Sequence, residues 1–354
     1  MLFVRVDTVS AHSIRRHGIL RRAVTRGGLR ALLCAVALAS TAQSADWIGH
    51  ITRYDPALDR WLALDARIEK LAEGFTWSEG PVWIESGRYL LFSDVPGNTM
   101  YRWSEEGGLS VFEKPSGYAG TDLSGLREAG SNGLFADGPD AILLANSGDR
   151  SIERLELSSR RRTTLVAAFG GKRLNSPNDV IRSKIGVIFF TDPPYGLKDI
   201  DASPLKEQPF NGVYRIDVAG KLTVVDASLS FPNGVALAPD EKTLYVSNAD
   251  AKRPIWMAYD LNIKREVTGK RQFADASDLL RAGVSGLPDG MKVGPDGTLF
   301  ATAPGGVLVM TSAGVRLGRI ETGDAIANCA FGDGGRWLYL TSHQLLARVA
   351  LQPH

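Results

Sequence analysis

Between residues 75 and 350 short apolar runs alternate with polar turns in one recurring phrase. Its clearest copy begins at Phe231. Asn233, set between a proline and a glycine, opens an apolar run through Val235 and Leu237. A turn over Pro239 to Lys242 leads into a second strand, Thr243 to Ser247. The phrase returns at Ser78-Glu-Gly-Pro-Val-Trp83, Ser131-Asn-Gly-Leu134, Pro177-Asn-Asp-Val180, Pro288-Asp-Gly-Met291 and Ala327-Asn-Cys-Ala330, each followed by a turn and an apolar strand. Glu79, Asn132, Asn178, Asn233, Asp289 and Asn328 head the six copies, 53, 46, 55, 56 and 39 residues apart. Strands and turns repeating at a period of about 50 residues mark a β-propeller with about four strands per blade. The expected fold is therefore all-β, a six-bladed β-propeller. One Glu, Asp or Asn at the start of each innermost strand then rings one mouth of the central channel.

A ring of blades has to be closed, and the last copy, from Asn328 to Leu351, has room for three strands only. The strand expected around Ile68 to Leu71 supplies the missing outer strand of that blade and hides an edge that would otherwise pair with other chains. Residues 66–354 are read as one propeller domain, preceded by a lead-in over residues 46–65. Leu58, Trp61, Leu62 and Leu64 in that lead-in predict a short helix or ordered arm on the outside. Irregular stretches at 116–131, 192–211 and 275–288 fall just before or between strands, where loops on a rigid scaffold carry function.

Charge changes the picture at the N-terminus. Residues 1–45 hold seven arginines and one aspartate, and without them 34 basic side chains face 38 acidic ones. No basic face remains to suggest nucleic acid. Arginines 15, 16, 21, 22, 26 and 30, then Leu29 to Ala39, then small residues through Ser44 follow the order of a secretory signal peptide. The apolar run is too short for a bilayer span, which takes ~20 residues. The expectation is an exported protein, periplasmic or secreted, whose mature chain begins between Gln43 and Asp46. The bland alternative is an extended start upstream of a cytosolic enzyme. Of the two cysteines Cys34 lies in the leader, so Cys329 has no partner for an internal disulfide and reads as a small buried apolar residue.

No nucleophile elbow, His-Glu-x-x-His pair, phosphate loop or dinucleotide fingerprint occurs. Few histidines and one thiol leave oxygen as the available ligand chemistry. Two carboxylates, Glu79 and Asp289, and two amides, Asn178 and Asn233, converging on one point suit a hard divalent cation in the channel. Ca²⁺ is the first choice, with Zn²⁺, Mg²⁺ and Mn²⁺ as alternatives. Asn-Gly and Asp-Gly are also common turn dipeptides, and Asn132 and Asn328 read most simply as turn or strand-capping amides. Glu79 has no turn role at its position, and a buried carboxylate needs a charge partner.

Five motifs in order, Ser78 to Trp83, Lys172 to Val180, Phe189 to Gly196, Phe231 to Val235 and Leu287 to Met291, resemble the gluconolactonase/senescence marker protein (regucalcin) family across residues 66–351. The resemblance implies a six-bladed propeller with one divalent cation held by Glu79, Asn178, Asn233 and Asp289. It also implies lactone-ring hydrolysis, with a sugar lactone as substrate and Asp289 as the catalytic acid-base. Asn132, Tyr195 and Asp192 are expected at the same mouth as contacts for sugar hydroxyls. Animal members carry an arginine two residues before the first ligand asparagine, where this chain has Ser176, so their substrate contacts do not carry over; bacterial lactonases of the family are closer to the form seen here. A hydrolase for phosphotriesters and a non-catalytic calcium-binding propeller are the two alternatives.

Overall fold

The computed structural model describes residues 45–281 and 284–353. The leader expected over residues 1–45 lies almost wholly outside them. Six antiparallel sheets are arranged as consecutive blades. The first is Ser78–Ile84, Tyr89–Asp94, Thr99–Ser104 and Gly108–Glu113, and the inner strands of the next five are Ser131–Ala136, Val180–Arg182, Pro232–Leu237, Met291–Val293 and Asn328–Gly332. All six begin at or within two residues of the polar heads read from the repeat. Alternation along each strand gives both faces of a blade an apolar set, because each blade is sandwiched between two others. Accordingly every pair of neighbours shares one apolar cluster. Leu91 and Met100 meet Leu134 and Leu144 between blades one and two, and Phe92 and Trp103 meet Tyr339 and Leu346 between blades one and six.

The ring closes as the repeat count requires. Ile68–Glu73 lies beside Leu345–Ala350 with Ile68 opposite Val349, completing the sixth sheet from the N-terminal side. The lead-in does more than lie outside. Asp46–Ile48 pairs with Ile68–Glu73, while His50–Arg53 pairs with Arg316–Glu321 of blade five, so one short segment extends two blades. Between these strands and the closing strand a 3-10 turn, Pro56–Arg60, is capped by the Asp55 carboxylate on the Ala57 N–H. It delivers Leu58, Trp61 and Leu62 into the cluster shared by blades five and six. Trp61 stands edge-on to Phe300 at 4.9 Å. No helix among the described residues is long and apolar enough to cross a membrane.

Candidate active site

In four of the six blades a glycine follows the head residue, Gly80, Gly133, Gly234 and Gly290, and the inner strand meets the next one there. A Cβ on Gly80 would lie 2.0 Å from the Asn132 carbonyl oxygen, one on Gly133 2.8 Å from the Asn178 carbonyl, and one on Gly234 2.3 Å from the Asp289 carbonyl. Absence of a side chain therefore lets the strand heads crowd around a narrow channel. Hydroxyls at the ends of the second strands hold head-residue carbonyls as well: Ser93 donates to Asn132 O at 2.9 Å, Thr191 to Asn233 O at 2.5 Å, and Ser247 to Asp289 O at 2.8 Å. The backbone at Asn132, Asn233 and Asp289 is thus locked by the preceding blade before any ligand is considered.

Glu79, Asn132, Asn178, Asn233 and Asp289 line one cavity of about 530 Å³ at this mouth, together with Tyr195, Arg127 and Glu128. Trp77, Leu287 and Ile326 supply an apolar wall. The size and mixed lining are those of a small-molecule site. Glu79 Oε2 accepts from Gly80 N at 2.5 Å and from Asn328 Nδ2 at 3.1 Å. Asn328 in turn accepts from Cys329 N and from Lys292 Nζ, at 2.9 and 3.2 Å. Asn328, which reads in sequence as a turn amide, is the residue that orients Glu79. Burial pushes the Glu79 carboxyl up to about 7, with the Asp179 charge adding to the rise. Burial and the facing Glu79 carboxyl hold Asp289 well above the usual carboxylate range.

Among the described residues, three side chains of this cavity carry a buried oxygen that no donor meets: Asn132 Oδ1, Asn233 Oδ1 and Asp289 Oδ1. Such atoms cost free energy unless something satisfies them. Two adjacent buried carboxyls and a set of unsatisfied oxygens are what a hard cation would complete, so the donor set fits the divalent ion expected from sequence. Among the described residues no group of three or more His, Cys, Asp and Glu is placed to hold a metal ion; half of the expected ligands here are amides.

Tyr195 lies where a substrate contact was expected. Its ring stacks on Phe231 at 5.6 Å and its hydroxyl donates to Ala249 O at 3.3 Å. Burial, then the Asp289 charge, raise its phenol, which stays protonated. Asp192 does not belong to the site. It is fully buried away from the cavity, and its Oδ2 accepts from Asn175 N at 2.8 Å. Asp94 does the same for Thr76 N and Trp77 N, and Asn248 for Phe231 N. In blades one, three and four the last position of the second strand is thus a buttress for the chain entering the inner strand, and Asp192 is that buttress in blade three. Arg127 and Glu128 are the residues that sequence reading passed over; the loop over 116–131 pointed to the place and offered no periodic signal for the side chains.

A propeller carrying buried carboxylates and amides around one end of its channel defines a class of small-molecule hydrolases and binding proteins built on a shared ring. The chain belongs to the SMP-30/gluconolactonase/LRE-like family, whose model matches residues 77–344. It is 41% identical to the gluconolactonase of Zymomonas mobilis over 91% of this chain and 93% of that protein. The pentonolactonase of Haloferax volcanii is 24% identical over 72% of this chain and 77% of its own. A solved gluconolactonase from Xanthomonas campestris superposes with a TM-score of 0.74 at 31% identity, covering 88% of this chain and 99% of the other.

Proposed function

We infer that this chain is a lactonase that opens the ring of a sugar lactone, gluconolactone or a close aldonolactone, with a divalent cation, Ca²⁺ first, held by Glu79, Asn178, Asn233 and Asp289. The observation that carries the reading is the set of unsatisfied oxygens on Asn132, Asn233 and Asp289 beside the buried Glu79 in one cavity. The identity to lactonases over nearly the whole chain supports the reaction.

Bound there, the cation would polarise the lactone carbonyl and offset the negative charge that develops on its oxygen. The residues of the chain supply the rest. Asp289, at the cavity edge of the carboxyl pair, takes the proton of the attacking water and returns it to the ring oxygen as the C–O bond breaks. Burial raises both carboxyls and the charge of a bound cation would offset that rise, so that Asp289 could act as a base while Glu79, fixed by Gly80 and Asn328, would stay a ligand. Tyr195, kept protonated, offers a donor to the substrate once its long bond to Ala249 O yields. Trp77, Leu287 and Ile326 limit water on the other side.

The test is hydrolysis of aldonolactones, hydroxyl-free lactones and phosphotriesters by purified protein, followed by proton release with and without chelator. Chelator-sensitive turnover confined to lactones is expected. Turnover of phosphotriesters alone, or none with any added metal, would overturn the reading. We further propose export of the chain, checked by intact mass of the product of the full-length gene; a start between Gln43 and Asp46 is expected, and a cell-internal product retaining Arg15 to Arg30 would refute it.

A further inference from the structure

The carboxyl group of Glu128 has no place in the reaction as derived above, although it opens into the same cavity. Its residue is 8% exposed. Among the described residues its carboxylate receives no hydrogen bond; Arg127 Nη2 stands 3.4 Å from Oε1, and the guanidinium is half exposed. The pair is not loose. Arg127 N and Glu128 N both donate to Gly196 O, at 2.9 and 3.3 Å, and Leu126 bridges to Leu197. These contacts tie the stretch before blade two to the loop that carries Tyr195. Arg127 lies 6.0 Å from the centre of the Tyr195 ring.

Glu128 is poorly suited to join the cation ligands, because it does not head an inner strand and a guanidinium already offsets its charge. It is well suited to read hydroxyl groups. A carboxylate accepts only, and two adjacent O–H donors on a ring can satisfy both of its oxygens. The cavity has walls of opposite character, polar at Arg127, Glu128 and Tyr195 and apolar at Trp77, Leu287 and Ile326. That matches a sugar ring, which presents hydroxyls at its rim and C–H bonds on its faces.

We propose that Glu128, braced by Arg127, is the specificity-determining residue that accepts hydrogen bonds from the ring hydroxyls of a polyhydroxylated lactone. The inference rests on the lactonase reading. A substrate without hydroxyls leaves this buried carboxylate unpaired on binding, and sites built to bond a substrate hydroxyl discriminate strongly against analogues that lack it.

The experiment compares gluconolactone with δ-valerolactone, the same ring without hydroxyls, in wild-type protein, Glu128→Gln and Glu128→Leu, all metal-loaded, with melting curves to confirm folding. Both variants should lose ~10–100-fold in kcat/KM on gluconolactone, carried by KM, as expected for a bond to a charged group. On δ-valerolactone both variants should gain, Glu128→Leu more than Glu128→Gln, because the unpaired charge is gone and only the amide still lacks a partner. Equal losses on both substrates, a loss on gluconolactone carried by kcat alone, or no loss on gluconolactone would each overturn the assignment. Wild-type protein that opens neither ring would overturn the lactonase reading and this inference together, an outcome separate from any change among the variants.

Discussion

At the scale of single residues the two carboxylates of the site differ in what their loss removes. On the proposed reading Glu79→Gln deletes a ligand charge while Gly80 and Asn328 still hold the side chain. Asp289→Asn would delete a proposed ligand charge and the proposed base. Both should bind calcium weakly, since affinity follows ligand charge. Saturating calcium should restore part of the turnover to Glu79→Gln and leave Asp289→Asn ~10²–10⁴-fold down. Full recovery of Asp289→Asn in the same assay would show that Asp289 is only a ligand. Glu128 carries a separate signature in pH. Burial pushes its carboxyl up to about 7 from an ordinary value of 4.5, with Arg127 opposing and Glu79 adding to the rise. A raised carboxyl means the folded protein holds that proton more tightly than the unfolded chain. Its stabilising contribution is complete below pH 4.5 and is lost as pH rises through 7. Glu128→Gln should therefore melt increasingly above wild type between about pH 5 and pH 8, by up to about 3 kcal/mol. A gap between the two melting curves that does not widen over that range counts against it.

Within an element, the close approach of strand heads makes the glycines after them less replaceable than their turn-like dipeptides suggest. A methyl on Gly234 would meet the Asp289 carbonyl at 2.3 Å, a backbone atom that Ser247 also holds. Gly234→Ala should thus displace the strand head that carries Asp289. Its expected result is a fall in calcium affinity and turnover together, read by calcium titration and kinetics. Ser247→Ala, which only frees the Asp289 carbonyl and the Gly234 N–H, should cost about 1–3 kcal/mol of stability and less activity. If Gly234→Ala binds calcium like wild type, the crowding of strand heads does not set the site. The same strands explain why Asp192 misleads: an aspartate at a strand end near the mouth has the address of a ligand, yet its neighbour Asn175 turns it into a brace for the backbone.

Over the whole molecule, stability depends on joining the two ends of the ring. Ile68–Glu73 completes blade six, and the turn before it seals the joint with Leu58, Trp61 and Leu62. Removing residues 46–74 should leave Leu345–Ala350 as an open edge and expose the cluster between blades five and six, giving a protein that aggregates and melts lower. Trp61→Ala is the milder version. It should cost about 3–5 kcal/mol by chemical denaturation, the usual loss for a fully buried large aromatic. Wild-type melting of the deletion, measured by scanning calorimetry, would show that the ring closes without its N-terminal strand.

Six polar heads at regular spacing and the shortage of strands in the last repeat were enough to read the ring, its blade count and its closing strand, because alternation and turn chemistry are local and repeat with each blade. The same repeat placed Glu79, Asn178, Asn233 and Asp289, since a head residue inherits its position from the strand it opens. What the sequence could not settle is where side chains outside the repeat point. Asn328 is a head like the others, yet its amide turns to Glu79 because Lys292 and Cys329 occupy its oxygen. Glu128 reaches the cavity because a loop between blades is pinned to Gly196, 68 residues further on. Leu58, Trp61 and Leu62 look like an outer arm until two neighbouring strands draw them between blades. Contacts between distant parts of the chain decided each of these, and only the folded ring brings those parts together.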